Sequence, residues 1–297
     1  MVRLLQSTVQ GLGLGTVYVL LGLGFVIIFK SMGVISFAQP GMMVLGAWWV
    51  IYFGRILGLG FPLAVLIAVL LTALIGMALE RAAIRPMIGE PVFAIAILTI
   101  GLDIVLRVIV NDLLGPQVRS MGDPWGLKTF PIAGVVIQQR YVARLVIGTV
   151  VVGLLLAFFK YTRIGLAMRA TAFDQEVAMA QGVSVGAVFA LSWAIAGGLA
   201  ALAGTFVGLG SGIDQQSAFV ALKALPAIIL GGLDSIHGAV IGGLLVGLIE
   251  GYSLTYQSQY AGFLGDNFSQ VVPYLVMLAV LLVRPFGLFG TREVERV

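Results

Sequence analysis

Asp103 and Arg107 are the side chains best placed for chemistry, because they stand four residues apart inside one apolar run, 92–113. That spacing puts both on one face of a helix, where they can pair. An ionisable residue within a membrane is a functional-site hypothesis by default. A carboxylate beside a guanidinium offers both signs of charge that a zwitterionic solute needs. The same pair would also serve as a self-compensating structural contact. A second feature lies in Ser36-Phe37-Ala38-Gln39-Pro40-Gly41. Proline removes a backbone donor and clashes one turn back, so a helix through Pro40 should kink or break. The freed backbone groups and Gln39 would then line a cavity, as in the broken helices of transporters; a tolerated kink is the plainer outcome. Ser36, Gln39, Pro40, Thr99, Asp103 and Arg107 are the candidate translocation-path residues.

Other chemistry is missing from the sequence. There is no cysteine and a single histidine, His237, so thiol chemistry is excluded and a histidine-built metal site is not expected. No Gly-x-x-x-x-Gly-Lys-Ser/Thr run occurs, so no phosphate-binding loop for ATP is expected. An intramembrane enzyme would have to use carboxylates, and those inside apolar runs are few: Asp103, and Glu250 near a span end.

The elements that must position these residues are membrane spans. Of the 297 residues, 60% are hydrophobic and 10% charged, with mean hydropathy +1.09. A soluble fold so poor in charge could not cover its surface, whereas lipid accepts apolar side chains. Residues 4–29, 31–54, 56–79, 92–113, 142–159, 186–208, 236–254 and 271–289 read as crossings of the ~20 residues that hydrocarbon requires. The shorter stretch 217–233, interrupted by Lys223, Pro226 and Gly231-Gly232, is either a ninth span or a re-entrant half-helix. The expected fold is therefore all-α: one polytopic transmembrane domain over 1–297 with about eight to nine spans and a broken or re-entrant helix. The start lacks a cleavable leader pattern, so its first apolar run should remain a span. The net charge of +4 is scattered between apolar runs. It is a topology signal rather than a footprint for nucleic acid.

Two polar segments interrupt the spans. Residues 114–141 carry Gly115-Pro116, Asp123-Pro124 and Pro131 and read as a loop. Residues 160–185 lack proline and read as short helices, with Thr171 and Asp174 resembling a capping box, Gly182 placed as a terminator and Ser184 placed to cap the next span. Lys160, Arg163 and Arg169, with Arg81, Arg85, Arg292 and Arg296, put 160–185, 80–91 and the C-terminus in the cytoplasm and the N-terminus outside. Gly243, Gly247 and Gly251 share one helix face and should let another helix approach closely.

At three places the chain resembles permeases of the branched-chain amino-acid ABC transporter family (the LivH type). These are Ile35-Ser-Phe-Ala-Gln-Pro-Gly-Met-Met-Val-Leu-Gly46, then Gly165-Leu-Ala-Met-Arg-Ala-Thr-Ala-Phe-Asp-Gln-Glu-Val-Ala-Met-Ala-Gln-Gly182, and Leu225-Pro-Ala-Ile-Ile-Leu-Gly-Gly-Leu-Asp-Ser-Ile-His-Gly-Ala-Val-Ile-Gly-Gly243. His237 stands where the family's late motif has proline. The resemblance implies a bacterial inner-membrane importer subunit, not an enzyme. Its implied partners are two ATPase subunits, a second permease chain, a periplasmic solute-binding protein, membrane lipid and an amino-acid substrate. It implies no cofactor in this chain, since ATP is bound by the ATPase subunits, and no nucleic acid. By the same resemblance, Gly165, Arg169, Asp174, Glu176 and Gly182 belong to a coupling segment gripped by the ATPase. The competing reading is an ion-coupled transporter or channel for small polar solutes, built on Asp103, Arg107 and the break at Pro40.

Overall fold

The computed structural model describes residues 2–132, 135–260 and 268–290, so Arg292 and Arg296, used above for orientation, lie outside the described residues. The helices are α1 (Val2–Met32), α2 (Gln39–Ile51), α3 (Phe61–Leu79), α4 (Val92–Leu114), α5 (Gln139–Tyr161), α6 (Arg163–Phe173), α7 (Gln175–Ala180), α8 (Val185–Gly208), α9 (Phe219–Leu222), α10 (Ala224–Gly231), α11 (Ile236–Tyr260) and α12 (Val272–Val283). Six described helices, starting at residues 2, 61, 92, 139, 185 and 236, are long and apolar enough to cross a membrane. Three expected spans give shorter helices: 39–51, which runs on into a π-helical turn at Tyr52–Ile56, 219–231 and 268–283. A count of eight to nine crossings therefore does not follow from helix length.

The fold is not wholly helical. Within the expected loop 114–141, β1 (Thr129–Ile132) and β2 (Val135–Gln138) pair antiparallel, with Phe130 opposite Ile137 and Pro131 opposite Val136. Pro131 fits because a two-stranded ribbon has only edge strands, where a missing N–H leaves no ladder bond unmade.

Burial is arranged for lipid rather than water. The apolar windows of α1 and α8 are 83% and 78% buried, against 22%, 17% and 28% for the helices beginning at 61, 92 and 139. The first two form the core and the other three surround it. The outer helices expose apolar stripes at helical spacing: Leu63, Leu66, Leu70 and Leu74 on α3, and Ile97, Ile100, Ile104 and Val108 on α4.

Small residues set the distances inside. A methyl on Gly11 would stand 2.9 Å from the Gly247 carbonyl oxygen, one on Gly251 would stand 2.5 Å from Gly11 Cα, and one on Gly247 would strike Gly15 Cα. The glycine stripe thus lets α11 approach α1 closely within one chain. Gly197 meets Thr72 and Gly76 meets Trp193 in the same manner between α3 and α8.

The two ends of the bundle differ. At one end α6 and α7 lie under the last turn of α1, where Gln175 Nε2 donates to the Ser31 carbonyl at 3.1 Å. Lys30 Nζ there donates to the Asp234 carbonyl at 2.8 Å. At the other end, that of the hairpin, the loop leading into β1 joins the turn after α8: Arg119 and Ile213 exchange two backbone bonds of 2.9 Å, and Gly210 N–H donates to Asp123 at 3.2 Å. The segment 219–231 packs beside Tyr18 of α1 and is followed at Asp234 by the Lys30 contact.

Gly247→Ala should force α1 and α11 apart and cost at least ~1–3 kcal/mol, the range for overpacking. Gly101→Ala, with nothing within 4 Å of the new methyl, should leave stability equal or about 0.5–1 kcal/mol higher. Thermal melting of the purified proteins checks both; equal behaviour of the two variants would disprove the packing account.

Candidate functional site

The break falls before Pro40 rather than at it. Helix α1 ends at Met32, residues 33–38 leave the helical path, and α2 starts at Gln39 with Pro40 in its first turn. A first-turn N–H has no helical partner in any case, so proline begins this helix without kinking it. Donors at the entry to α2 still need partners, and α4 supplies them for one residue just before the helix and one in its first turn. Thr99 Oγ1 accepts from Phe37 N–H at 2.9 Å, and Asp103 Oδ1 accepts from Gly41 N–H at 2.7 Å. Asp103 Oδ2 takes Arg107 at 2.7 Å, so the expected pair forms. Ser36 Oγ accepts from Ala38 N–H at 3.4 Å. Thr99, Asp103 and Arg107 stand four apart on one face of α4, and Asp103 places negative charge at the positive end of α2. Gly41 permits the approach, since a methyl there would stand 2.8 Å from Leu106 Cβ.

Five of the six path candidates thus form one joint, and Gln39 sits within it. Ser36, Gln39 and Thr99 are 0% exposed and Asp103 is 6% exposed. They form a packed joint and do not wall an open cavity, because the break closes onto α4. Arg107 alone of the charged pair reaches the surface, with 30% of its side chain exposed. The Gln39 amide, nitrogen and oxygen, has no hydrogen-bond partner and packs on the backbone at Gly24, where a methyl would stand 2.9 Å from Nε2.

The segment 160–185 folds as α6 and α7. Thr162 caps α6, accepting from Gly165 N–H at 2.9 Å. Asp174, extended at φ −156°, caps α7 by accepting from Val177 N–H at 2.9 Å. Thr171 lies inside α6 and donates to the Ala167 carbonyl at 3.0 Å. The expected Thr171–Asp174 capping box is therefore not formed, because a cap needs a residue outside the helix. Gly182, at φ +82°, ends α7 as expected: its N–H bonds the Met179 carbonyl and Val183 N–H bonds the Ala178 carbonyl. Ser184 occupies the cap position of α8, but its side chain makes no capping bond.

Gly165 is buried, and a methyl there would stand 2.7 Å from Phe159 Cα; it seats α6 against the end of α5. Arg169, Asp174, Glu176 and Gly182 are exposed. Sequence reasoning missed the side chain between them, Phe173, which is 94% exposed. Beside it is a shallow hollow lined by Leu166, Ala170, Val177 and Val183, with Arg169 and Asp174 on its rim.

A second buried charge cluster also went unread, because its members are far apart in sequence. Glu250 of α11 is 4% exposed. Its Oε1 takes Lys223 Nζ at 2.6 Å, and its Oε2 accepts from Tyr18 OH of α1 at 2.5 Å. Lys223 stands at the junction of α9 and α10. The cluster therefore ties the short-helix segment to the two glycine-packed helices.

Residues 7–281 match the family model described as branched-chain amino acid transport system / permease component. The chain is 32% identical to the high-affinity branched-chain amino acid transport system permease protein BraD of Pseudomonas aeruginosa, over 99% of this chain and 98% of that one. It is 29% identical to the corresponding protein LivH of Escherichia coli, over 99% and 97%. A solved structure, PsaBC from Streptococcus pneumoniae in complex with Fab, superposes on 94% of this chain and 91% of its own at 18% identity and TM-score 0.48.

Asp103→Ala should strand both Gly41 N–H and Arg107, at a cost of about 3–5 kcal/mol for a broken buried pair. Asp103→Asn, which still presents an acceptor to Gly41, should lose less. Comparative melting of the two variants decides; an alanine variant as stable as the asparagine one would exclude the cap.

Proposed function

This chain belongs to the branched-chain amino acid transport permease family, and we propose that it is the membrane-spanning subunit of an ATP-driven importer in the bacterial inner membrane. Its cargo on this reading is leucine, isoleucine, valine or a related amino acid. As a transport permease component it is not an enzyme. In the proposed assembly it pairs with a second permease chain, two ATPase subunits that bind ATP on its behalf, and a periplasmic solute-binding protein.

The observation that carries this reading is the α6–α7 pair. It presents Phe173 in an arc of Arg169, Asp174 and Glu176 at one end of the bundle, as an aromatic anchor with a charged rim suits a partner pocket. It is also fastened to the spans, through Gly165 to α5 and through Gln175 to the last turn of α1. Lys160, Arg163 and Arg169 with Arg81 and Arg85 put this end on the cytoplasmic side. The hairpin end then faces the periplasm. Nine crossings, with 219–231 as the ninth, fit that sidedness, because an odd count puts the two termini on opposite sides.

A pull on α6–α7 reaches the end of α1, and beyond it the joint at 33–41. Movement of α2 away from α4 would expose the Gln39 amide together with Asp103 and Arg107, groups suited to a zwitterion's polar atoms. Ser36, Gln39, Pro40, Thr99, Asp103 and Arg107 are on this reading the part of the path that opens and closes.

Vesicles containing the chain with its ATPase, second permease and binding protein should take up labelled leucine only when ATP is supplied. Uptake sustained by an ion gradient without ATP would reject the importer reading in favour of a secondary transporter. Phe173→Ala and Arg169→Glu should each weaken capture of the ATPase subunit about tenfold or more, as hot-spot residues do, without changing the melting temperature. Undiminished capture would remove the docking role from these residues.

A further inference from the structure

The outward side of α4 is built differently from those of α3 and α5. Leu63, Leu66, Leu70 and Leu74 on α3, and Val146, Val150 and Leu154 on α5, are exposed apolar side chains, which lipid tails accept. On α4 the exposed Phe93, Ile97, Ile100 and Ile104 are followed in the same pattern by Arg107 and Asn111. Steps of four and three residues alternate through all six. That is the a/d spacing of a helix that packs along its length on another. The four apolar members are 43–76% exposed, so no described element covers this seam. Arg107 and Asn111 are partly exposed. Arg107 gives an N–H to Asp103 at 2.7 Å, and its Nε has no partner. The Asn111 side-chain amide makes no hydrogen bond among the described residues.

A cation turned towards hydrocarbon is costly, and such groups ordinarily face protein or water. An arginine near a helix end escapes the cost by extending to the headgroups. Arg107 does not, because it stands about 10 Å short of the end of α4 at Leu114, and Asp103 draws it one turn further back. We propose that α4 packs along this seam against α4 of a second copy of this chain, an assignment that rests on the permease reading and names the face its second chain covers. Two copies in one membrane share an orientation, so a two-fold axis along the membrane normal relates them. A helix that meets its own copy across that axis runs parallel to it, and each residue meets itself at equal depth. The α4 seam suits that geometry. Ile97 and Ile104 fall at a positions and Ile100 at d, where knobs enter the holes of the facing helix. Asn111 falls at an a position, and an amide holds both donor and acceptor, so it complements its own copy. A single asparagine at such a position fixes the register of a parallel pair. Asp103 neutralises Arg107 within each chain, so the facing guanidiniums bring no net like charge together.

The chain contains no cysteine, so single introduced cysteines report the contact. The full chain, expressed without other subunits, is oxidised in its membranes with copper phenanthroline. Ile97→Cys and Ile104→Cys probe the seam. Ile109→Cys is the control on α4 away from the seam, at 51% exposure against 49% for Ile104, and Leu70→Cys, at 55%, is the control on α3. Each seam variant should give about tenfold more disulfide-linked dimer than either control, because only across the seam do like residues come within disulfide range. Asn111→Asp sets two carboxylates face to face. It should raise the dimer dissociation constant of the purified chain in uncharged detergent about tenfold or more. The seam is excluded if Ile104→Cys cross-links no more than Ile109→Cys, if Leu70→Cys cross-links best, if Asn111→Asp dimerises like the parent, or if the chain forms no dimer with itself. None of these measurements involves ATP or solute, so failure here is separate from failure of ATP-driven uptake.

Discussion

Hydrocarbon offers no hydrogen-bond partner, and this constraint shapes every interruption in the helices of this protein. A helix may stop inside the membrane only where another element accepts its loose N–H groups or donates to its loose carbonyls. The stop between α1 and α2 is met by Thr99 and Asp103 on α4. Between α9 and α10 the Lys223 N–H bonds locally to the Val220 carbonyl at 3.2 Å, and the Lys223 side chain reaches Glu250, which Tyr18 holds from the other side. The turn after α10 is met by Lys30 on the Asp234 carbonyl. Leu288 and Phe289 N–H close the same turn on the carbonyls of Leu230 and Gly231. Each interruption is consequently a junction of segments remote in sequence, and the broken helices bind the bundle together.

Close packing supplies the rest. In lipid there is little hydrophobic gain from pressing one helix on another, so contact area and backbone approach decide association. The glycines of α1 and α11 answer that requirement, as do Gly76 and Gly197 between α3 and α8. They leave α1 as the hub: it touches α11 along its length, meets Lys223–Glu250 through Tyr18, and ends at the contacts with α7 and with Asp234. A displacement of α1 is therefore felt at all three places. Buried charge pairs give modest net stability once desolvation is counted. Their contribution here is position: Asp103 and Glu250 each fix where a chain break may lie.

The sequence by itself determined whatever depends on spacing within one helix. Asp103 and Arg107 pair, Gly243, Gly247 and Gly251 share a face, and Gly182 stops α7, because 3.6-residue periodicity and backbone sterics act over a few residues. Composition likewise settled that the helices lie in lipid, since so few charges cannot clothe a soluble surface. The three motifs pointed to the permease family for the same local reason. Tertiary structure decided everything that joins distant segments or depends on where a helix starts. Pro40 became a first-turn residue because α4 caps the α2 it begins. Thr171 lost its expected cap because Asp174 turns the chain outside α6. Thr129–Ile132 and Val135–Gln138 paired as a ribbon that four-residue strands around Pro131 do not announce. Glu250 found partners 27 and 232 residues away, and Phe173 was left bare at the surface. No periodicity reaches across such separations. Only the packing of glycine-lined helices brings those groups together, and that packing is a property of the whole chain.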